Sequence, residues 1–140
     1  MKRIHLDEIE PTRIGGVSWK PIRSLLDIES FGVNAYVADA VDAPLFDEHD
    51  ETEPGAGEQR HQELYVVLSG RATFTCGGRD VDAPAGTLVF LDDPAERRAA
   101  RAAESGTTVL AIGGPAGEPY RVAPWEHWFR ARRALAGGWP

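Results

Sequence analysis

An all-β sandwich or barrel is what this sequence predicts, and three observations carry that expectation. Glycine and proline, 15 and 10 of the 140 residues, punctuate most of the chain at short intervals, as turns do between short strands. Between them lie alternating or wholly apolar runs such as FGVNAYVADA, LYVVL, RATFTC and TLVFL, which fit strands half buried or fully buried. Gly77-Gly78 falls between two such runs and suits a two-residue hairpin turn that needs positive φ.

In chain order, WKPIRSLLDIES carries Ile22, Leu25 and Leu26 at helical spacing, with Pro21 suited to the first helical position, so a short helix is expected here. The next strand puts Phe31, Val33, Ala35 and Val37 on one face and Asn34 and Tyr36 on the other. Pro44 biases its neighbour towards extended backbone, and Leu45–Glu51 continues as a strand. Residues 52–60, with Pro54, Gly55 and Gly57, have no apolar periodicity and read as a loop, either a plain solvent loop or a lid. Leu64–Leu68 is a continuous apolar strand turned by Ser69-Gly70, and Arg71–Cys76 alternates small and larger residues. A turn at 83–86 leads to TLVFL, read as a buried strand, and DDPAE breaks it. RRAARA reads as a polar-edged strand and 107–112 as the last clear one. Trp125, Trp128 and Phe129 then form an aromatic stripe on an amphipathic helix at about 124–135, begun by Pro124 and ended by Gly137-Gly138. That stripe suits packing on the outside of the barrel or on a partner subunit.

The totals exclude several classes. A net charge of −7 argues against a nucleic-acid surface, which needs a basic stripe. No apolar run is long enough to span a bilayer. The basic start MKRIHLDEIEPTRIGG leads into no apolar signal segment, so a cytoplasmic location is expected. A single cysteine, Cys76, permits neither an internal disulfide nor a cysteine-based zinc cluster. The length suits one domain, 1–140.

Two motif halves resemble the cupin family. Glu63, LYVVLS and Gly70 match the end of its first motif, and Gly78, RDVDA, Pro84 and Gly86 match the opening of its second. The likeness covers roughly residues 31–114. It implies a double-stranded antiparallel, jelly-roll-like (RmlC-like) β-barrel with a central pocket, commonly in a homodimer. The metal-binding parts depart from the family pattern. Counting back from Glu63 puts Gly57 and Gln59, or Ala56 and Glu58, where a His-x-His pair belongs. With 52–60 as an insertion, the pair becomes His49 and Glu51. Val89 stands where the second motif's histidine would be, and Asp93 where its asparagine would be.

His61, Glu63 and Tyr65 share one face of a strand, and His49 and Glu51 share a face in the same way. If both faces point inward, His49, Glu51, His61 and Glu63 form an imidazole–carboxylate set able to hold one divalent Fe, Mn, Ni or Zn ion. Val89 offers no lone pair. Arg97 is expected outward; facing the pocket instead, it would suit an anionic ligand. His5 and His127 read as surface residues. Two functions compete. One is a small-molecule enzyme: with metal, the resemblance suggests a dioxygenase, isomerase or decarboxylase. Without metal it would be a proton-transfer enzyme such as a cyclase or epimerase, with Glu63 as base, Glu51 beside it and the Tyr65 hydroxyl on an oxyanion. The other is a non-catalytic binding or sensing module with an apolar lining from Val33, Phe74 and Val89.

Overall fold

A computed structural model describes residues 1–52 and 60–122 of the chain. The aromatic helix expected at 124–135 and the loop expected at 52–60, apart from Thr52 and Arg60, lie outside the described residues. Strands β1 (Thr12–Ile14) and β2 (Val17–Lys20) precede helix α1 (Ile22–Leu26), and β3 (Gly32–Ala38) and β4 (Pro44–His49) follow it. Then come β5 (His61–Ser69), β6 (Arg71–Cys76), β7 (Arg79–Pro84), β8 (Leu88–Leu91), β9 (Arg98–Ala102) and β10 (Thr107–Pro115). They form two antiparallel sheets, ordered β1-β2-β3-β10-β5-β8 and β4-β9-β6-β7. No helix among the described residues is long and apolar enough to cross a membrane.

The inner faces of the two sheets meet in one core. Leu45, Phe46, Tyr65, Val67, Phe74, Leu91 and Val109 fill it, with alanines 72, 83, 100, 102 and 111 where the sheets approach closely. Each large apolar side chain buried there contributes about 1.5–3 kcal/mol. The hairpin between β6 and β7 turns on Gly77 (φ +54°) and Gly78 (φ +76°), the pair of left-handed residues that a tight primed turn demands.

Several expectations are corrected. The strand 88–91 is buried on one face only: β8 ends the six-stranded sheet, Val89 and Leu91 turn to the core, and Leu88 and Phe90 are 63% and 58% exposed. An apolar run of four residues does not distinguish a central strand from an edge strand with one open face. β9, read as polar-edged, lies between β4 and β6 and buries Arg98, Ala100 and Ala102. On β3 the apolar face of Val33 and Ala35 looks away from the barrel, into a second cluster with Ile9 and Ile22. Tyr36 and Ala38, on the other face, pack into the main core. Val33 therefore does not line the barrel, whereas Phe74 and Val89 pack into or against its core. Both faces of β3 are covered, so alternation separates the two faces without saying which one turns inward. Helix α1 starts one residue later than expected, with Pro21 as its N-cap, and Asp27 ends it in the left-handed region. The β1–β2 hairpin has no counterpart among the expected elements.

Candidate functional site

The site is built where β4 ends and β5 begins. On β5 the period of two points His61, Glu63 and Tyr65 into the barrel, while Leu64 and Val66 face outward opposite Phe90 and Leu88. His49 is the last residue of β4. Two residues on, Glu51 returns to the same face because the chain turns sharply. The Asp50 carboxylate accepts hydrogen bonds from the Thr52 amide and hydroxyl, both at 2.7 Å. The Glu51 amide donates to the Pro94 carbonyl at 2.9 Å, and the Glu51 carbonyl accepts from the Arg60 amide at 3.0 Å.

These two segments bring together all five residues singled out in the sequence. His49 Nε2 lies 3.7 Å from Glu51 Oε1 and 4.0 Å from Glu63 Oε2. His61 Nδ1 lies 3.5 Å from Glu51 Oε2. Ligand atoms of His49, Glu51 and Glu63 all fall within 4.8 Å of one another. The His49 Nδ1 contacts the Asp47 carbonyl at 2.8 Å. A carbonyl only accepts, so Nδ1 carries the proton, and in the neutral ring the lone pair is on Nε2, facing the carboxylates.

Each neighbour has a distinct state. The Glu51 carboxyl has its pKa raised to about 8, first by burial and then by Glu63, with Arg98 pulling the other way and Asp50 adding to the rise. Burial lowers the pKa of His61 to about 4, so this ring is neutral near pH 7. Its Nε2 is buried with no hydrogen-bond partner among the described residues, and the Tyr120 ring covers it at 5.3 Å between centroids. Burial, then Glu63, raises the Tyr65 phenol well above its ordinary pKa, so it remains a donor. It donates a short hydrogen bond to Glu63 Oε2. In this arrangement the hydroxyl orients Glu63 and is not free to serve an oxyanion. Phe46 stacks on Tyr65 at 4.9 Å and meets the His49 ring edge-on at 5.5 Å, which fixes the floor beneath the polar groups.

A residue beside these groups that the sequence reading does not single out is Arg98. Arg97, the arginine weighed there, points outward and pairs with Glu48 at 3.1 Å and Asp50 at 3.6 Å. Arg98 is fully buried, with Nε 3.7 Å from Glu63 Oε2. Its pairing opposite His49 across β4 and β9 puts both side chains on the inner face. A signal was present: counted along RRAARA, the face holding Arg98, Ala100 and Ala102 is the apolar one, and Arg97 shares the other with Arg101. The apolar Val89 sits opposite Tyr65 on β8 and is half-buried against the core, so this wall holds no donor. Gly113 on β10 closes the site from the other side. A Cβ there would come within 3.3 Å of both the Glu63 Cγ and the Gln62 carbonyl, so any larger residue would push on the carboxylate. A separate surface depression of about 240 Å³, lined by Asp7, Lys20, Asp39 and Thr107 among others, includes none of the site residues.

The donor set fits a divalent transition metal. Imidazole with carboxylate is the ligand chemistry of Fe, Mn, Ni and Zn. An Nε2 lone pair aimed at two half-buried carboxylates is an arrangement that a bound cation would stabilise.

No known family profile matches the chain, and neither does any curated protein. Solved structures do resemble it. A cupin protein from Bacteroides fragilis is 20% identical, covering 84% of this chain and 94% of that one, with a TM-score of 0.58. A predicted oxalate decarboxylase from Thermotoga maritima is 18% identical, covering 81% and 99%, with a TM-score of 0.63. Pac13, a nucleoside dehydratase from Streptomyces, is 19% identical, covering 82% and 83%, with a TM-score of 0.54. The two facing antiparallel sheets and these likenesses identify the chain as a cupin barrel by fold.

Proposed function

We propose that this cupin barrel binds a small molecule beside one divalent metal ion held by His49, Glu51 and Glu63, with His61 as a fourth donor. The observation that carries the reading is the convergence of the first three donors within 4.8 Å. The ion would supply Lewis-acid or redox chemistry of dioxygenase, isomerase or decarboxylase type. The chain's own residues do the rest. Tyr65 and Arg98 hold Glu63 in place, the hydrogen bond to Asp47 fixes the tautomer of His49, and Phe46 and Val89 keep the inner wall apolar. Protein purified without a histidine tag is expected to retain about one equivalent of a first-row divalent ion. His49→Ala is expected to bind it about 100-fold more weakly or worse, and His61→Ala about tenfold. A protein that retains no ion, and whose melting temperature does not rise with added Mn, Fe, Ni or Zn salts, would sink this reading.

A second, metal-free reading is favoured by Glu51, whose raised pKa of about 8 leaves a proton on one carboxyl beside another that accepts hydrogen bonds. This is the acid–base pairing that proton-transfer enzymes use. Its test is the same elemental analysis: turnover or ligand binding by metal-free protein would support it. A passive binding module needs neither chemistry.

The partner in either case is proposed to be a second copy of the chain. Leu68, Leu88 and Phe90, at 43%, 63% and 58% exposure, lie on the outer face of β5 and β8, forming an apolar patch that a dimer would cover. Sedimentation of the wild type as a dimer, and of Leu88→Lys/Phe90→Lys as a monomer, is the expected result. A monomeric wild type at about 100 μM would exclude this interface.

A further inference from the structure

We infer that Arg98 sets the charge of the metal-loaded pocket and thereby selects an anionic small molecule, a carboxylate or an enolate, as its ligand. The inference rests on the metal reading of His49, Glu51 and Glu63. Arg98 is fully buried on β9, opposite His49 in register, with Nε 3.7 Å from Glu63 Oε2. Its Nη1 donates to the Pro94 carbonyl at 3.2 Å and its Nη2 to the Asp93 carbonyl at 3.4 Å. Nε, which faces Glu63, has no hydrogen-bond partner among the described residues. The guanidinium is therefore pinned by backbone and shielded from water, and it brings a positive charge to the pocket.

Counting charges gives the selectivity. Metal-ligating Glu51 and Glu63 cancel a divalent ion, and ligating imidazoles are neutral. Asp50, the other carboxylate acting on Glu51, is paired with Arg97, whose second partner, Glu48, is largely exposed and screened by water. Arg98 is left over, so the loaded pocket is a net cation. Without the ion, the carboxylates at least balance Arg98, and the pocket has no net positive charge to attract an anion. Salt does not screen these groups well, because the site is mostly shut off from water. Anion and metal therefore bind cooperatively, each raising the affinity of the other by the same factor.

The test uses Co²⁺ as the metal probe, followed by calorimetry and by its visible absorption, with acetate and its neutral isostere acetamide as ligand probes. In the wild type, acetate is expected to tighten Co²⁺ binding by about tenfold and to shift the absorption bands, while acetamide does neither. Arg98→Met is expected to bind Co²⁺ about tenfold more tightly in the absence of acetate and to lose the acetate effect. Arg98→Lys keeps a cation and is expected to keep the preference for acetate. If Arg98→Met does not fold, the acetate–acetamide comparison in the wild type and in Arg98→Lys decides. Co²⁺ binding that ignores acetate, or that responds equally to acetamide, overturns the inference and leaves the metal site standing. The inference is equally overturned if Arg98→Lys binds Co²⁺ without preferring acetate. No Co²⁺ binding at all overturns the metal reading and this inference together.

Discussion

Arg98→Met is expected to destabilise the metal-free fold by about 3–5 kcal/mol, because it removes one partner of a buried ion pair and leaves the other. Arg98 has no exposed surface, and the Glu63 side chain is only 13% exposed. The substitution also strips donors from the Pro94 and Asp93 carbonyls, although methionine fills much of the same volume. For a chain of this size each kcal/mol lowers the melting temperature by about 2–4 °C, so the fall is on the order of 10 °C. Adding Glu63→Gln to Arg98→Met removes the stranded charge and is expected to recover about 1–3 kcal/mol of the loss, a coupling that a double-mutant cycle reads directly. Equal stability of Arg98→Met and wild type, or strictly additive effects of the two substitutions, would show that the guanidinium and carboxylate do not act as a pair.

Arg98 also marks where sequence reasoning stopped. The barrel was legible because its turns are written in glycine and proline at fixed offsets: Gly70, Gly77, Gly78 and Gly86 all adopt positive φ. The alternation of β5 likewise placed His61, Glu63 and Tyr65 together, since residues two apart on a strand share a face whatever the partner strand. What alternation does not give is the absolute facing of a strand after a break. Pro94 interrupts the count from β8, and a slip of one residue exchanges Arg97 for Arg98. β3 failed in the same way, since both of its faces are covered and the more apolar one looks outward. Glu51 was found because i and i+2 remain on one side across the end of β4, with the Asp50–Thr52 turn holding that geometry. The Tyr120 cover on His61 had no local signal, because it depends on where the chain returns after β10.

Glu51→Gln is expected to reverse the pH dependence of the metal-free protein, and the sign follows from two opposed groups. The Glu51 pKa is near 8 in the folded chain against 4.5 as the ordinary value. Between those limits the unfolded chain has lost a proton that the folded chain keeps, so stability falls as pH rises from about 4.5 to about 8. His61 does the opposite. Its pKa is about 4 when folded against 6.5 ordinarily, so the unfolded chain binds the extra proton and stability rises from about pH 4 to 6.5. Where the windows overlap, between about 4.5 and 6.5, the two slopes cancel. Above 6.5 only Glu51 acts, and the wild type is expected to lose about 2 kcal/mol by pH 8. Glu51→Gln removes the falling slope, leaving stability that rises to pH 6.5 and then levels, so at pH 8 the variant exceeds the wild type by several kcal/mol. His61→Gln exposes the full fall from 4.5. Urea denaturation at half-unit pH steps measures all three profiles, and a wild-type curve as flat as that of Glu51→Gln above pH 6.5 would refute the buried, protonated carboxyl. A divalent ion should abolish the fall, since it replaces the proton on Glu51 and binds more tightly as pH rises towards 8.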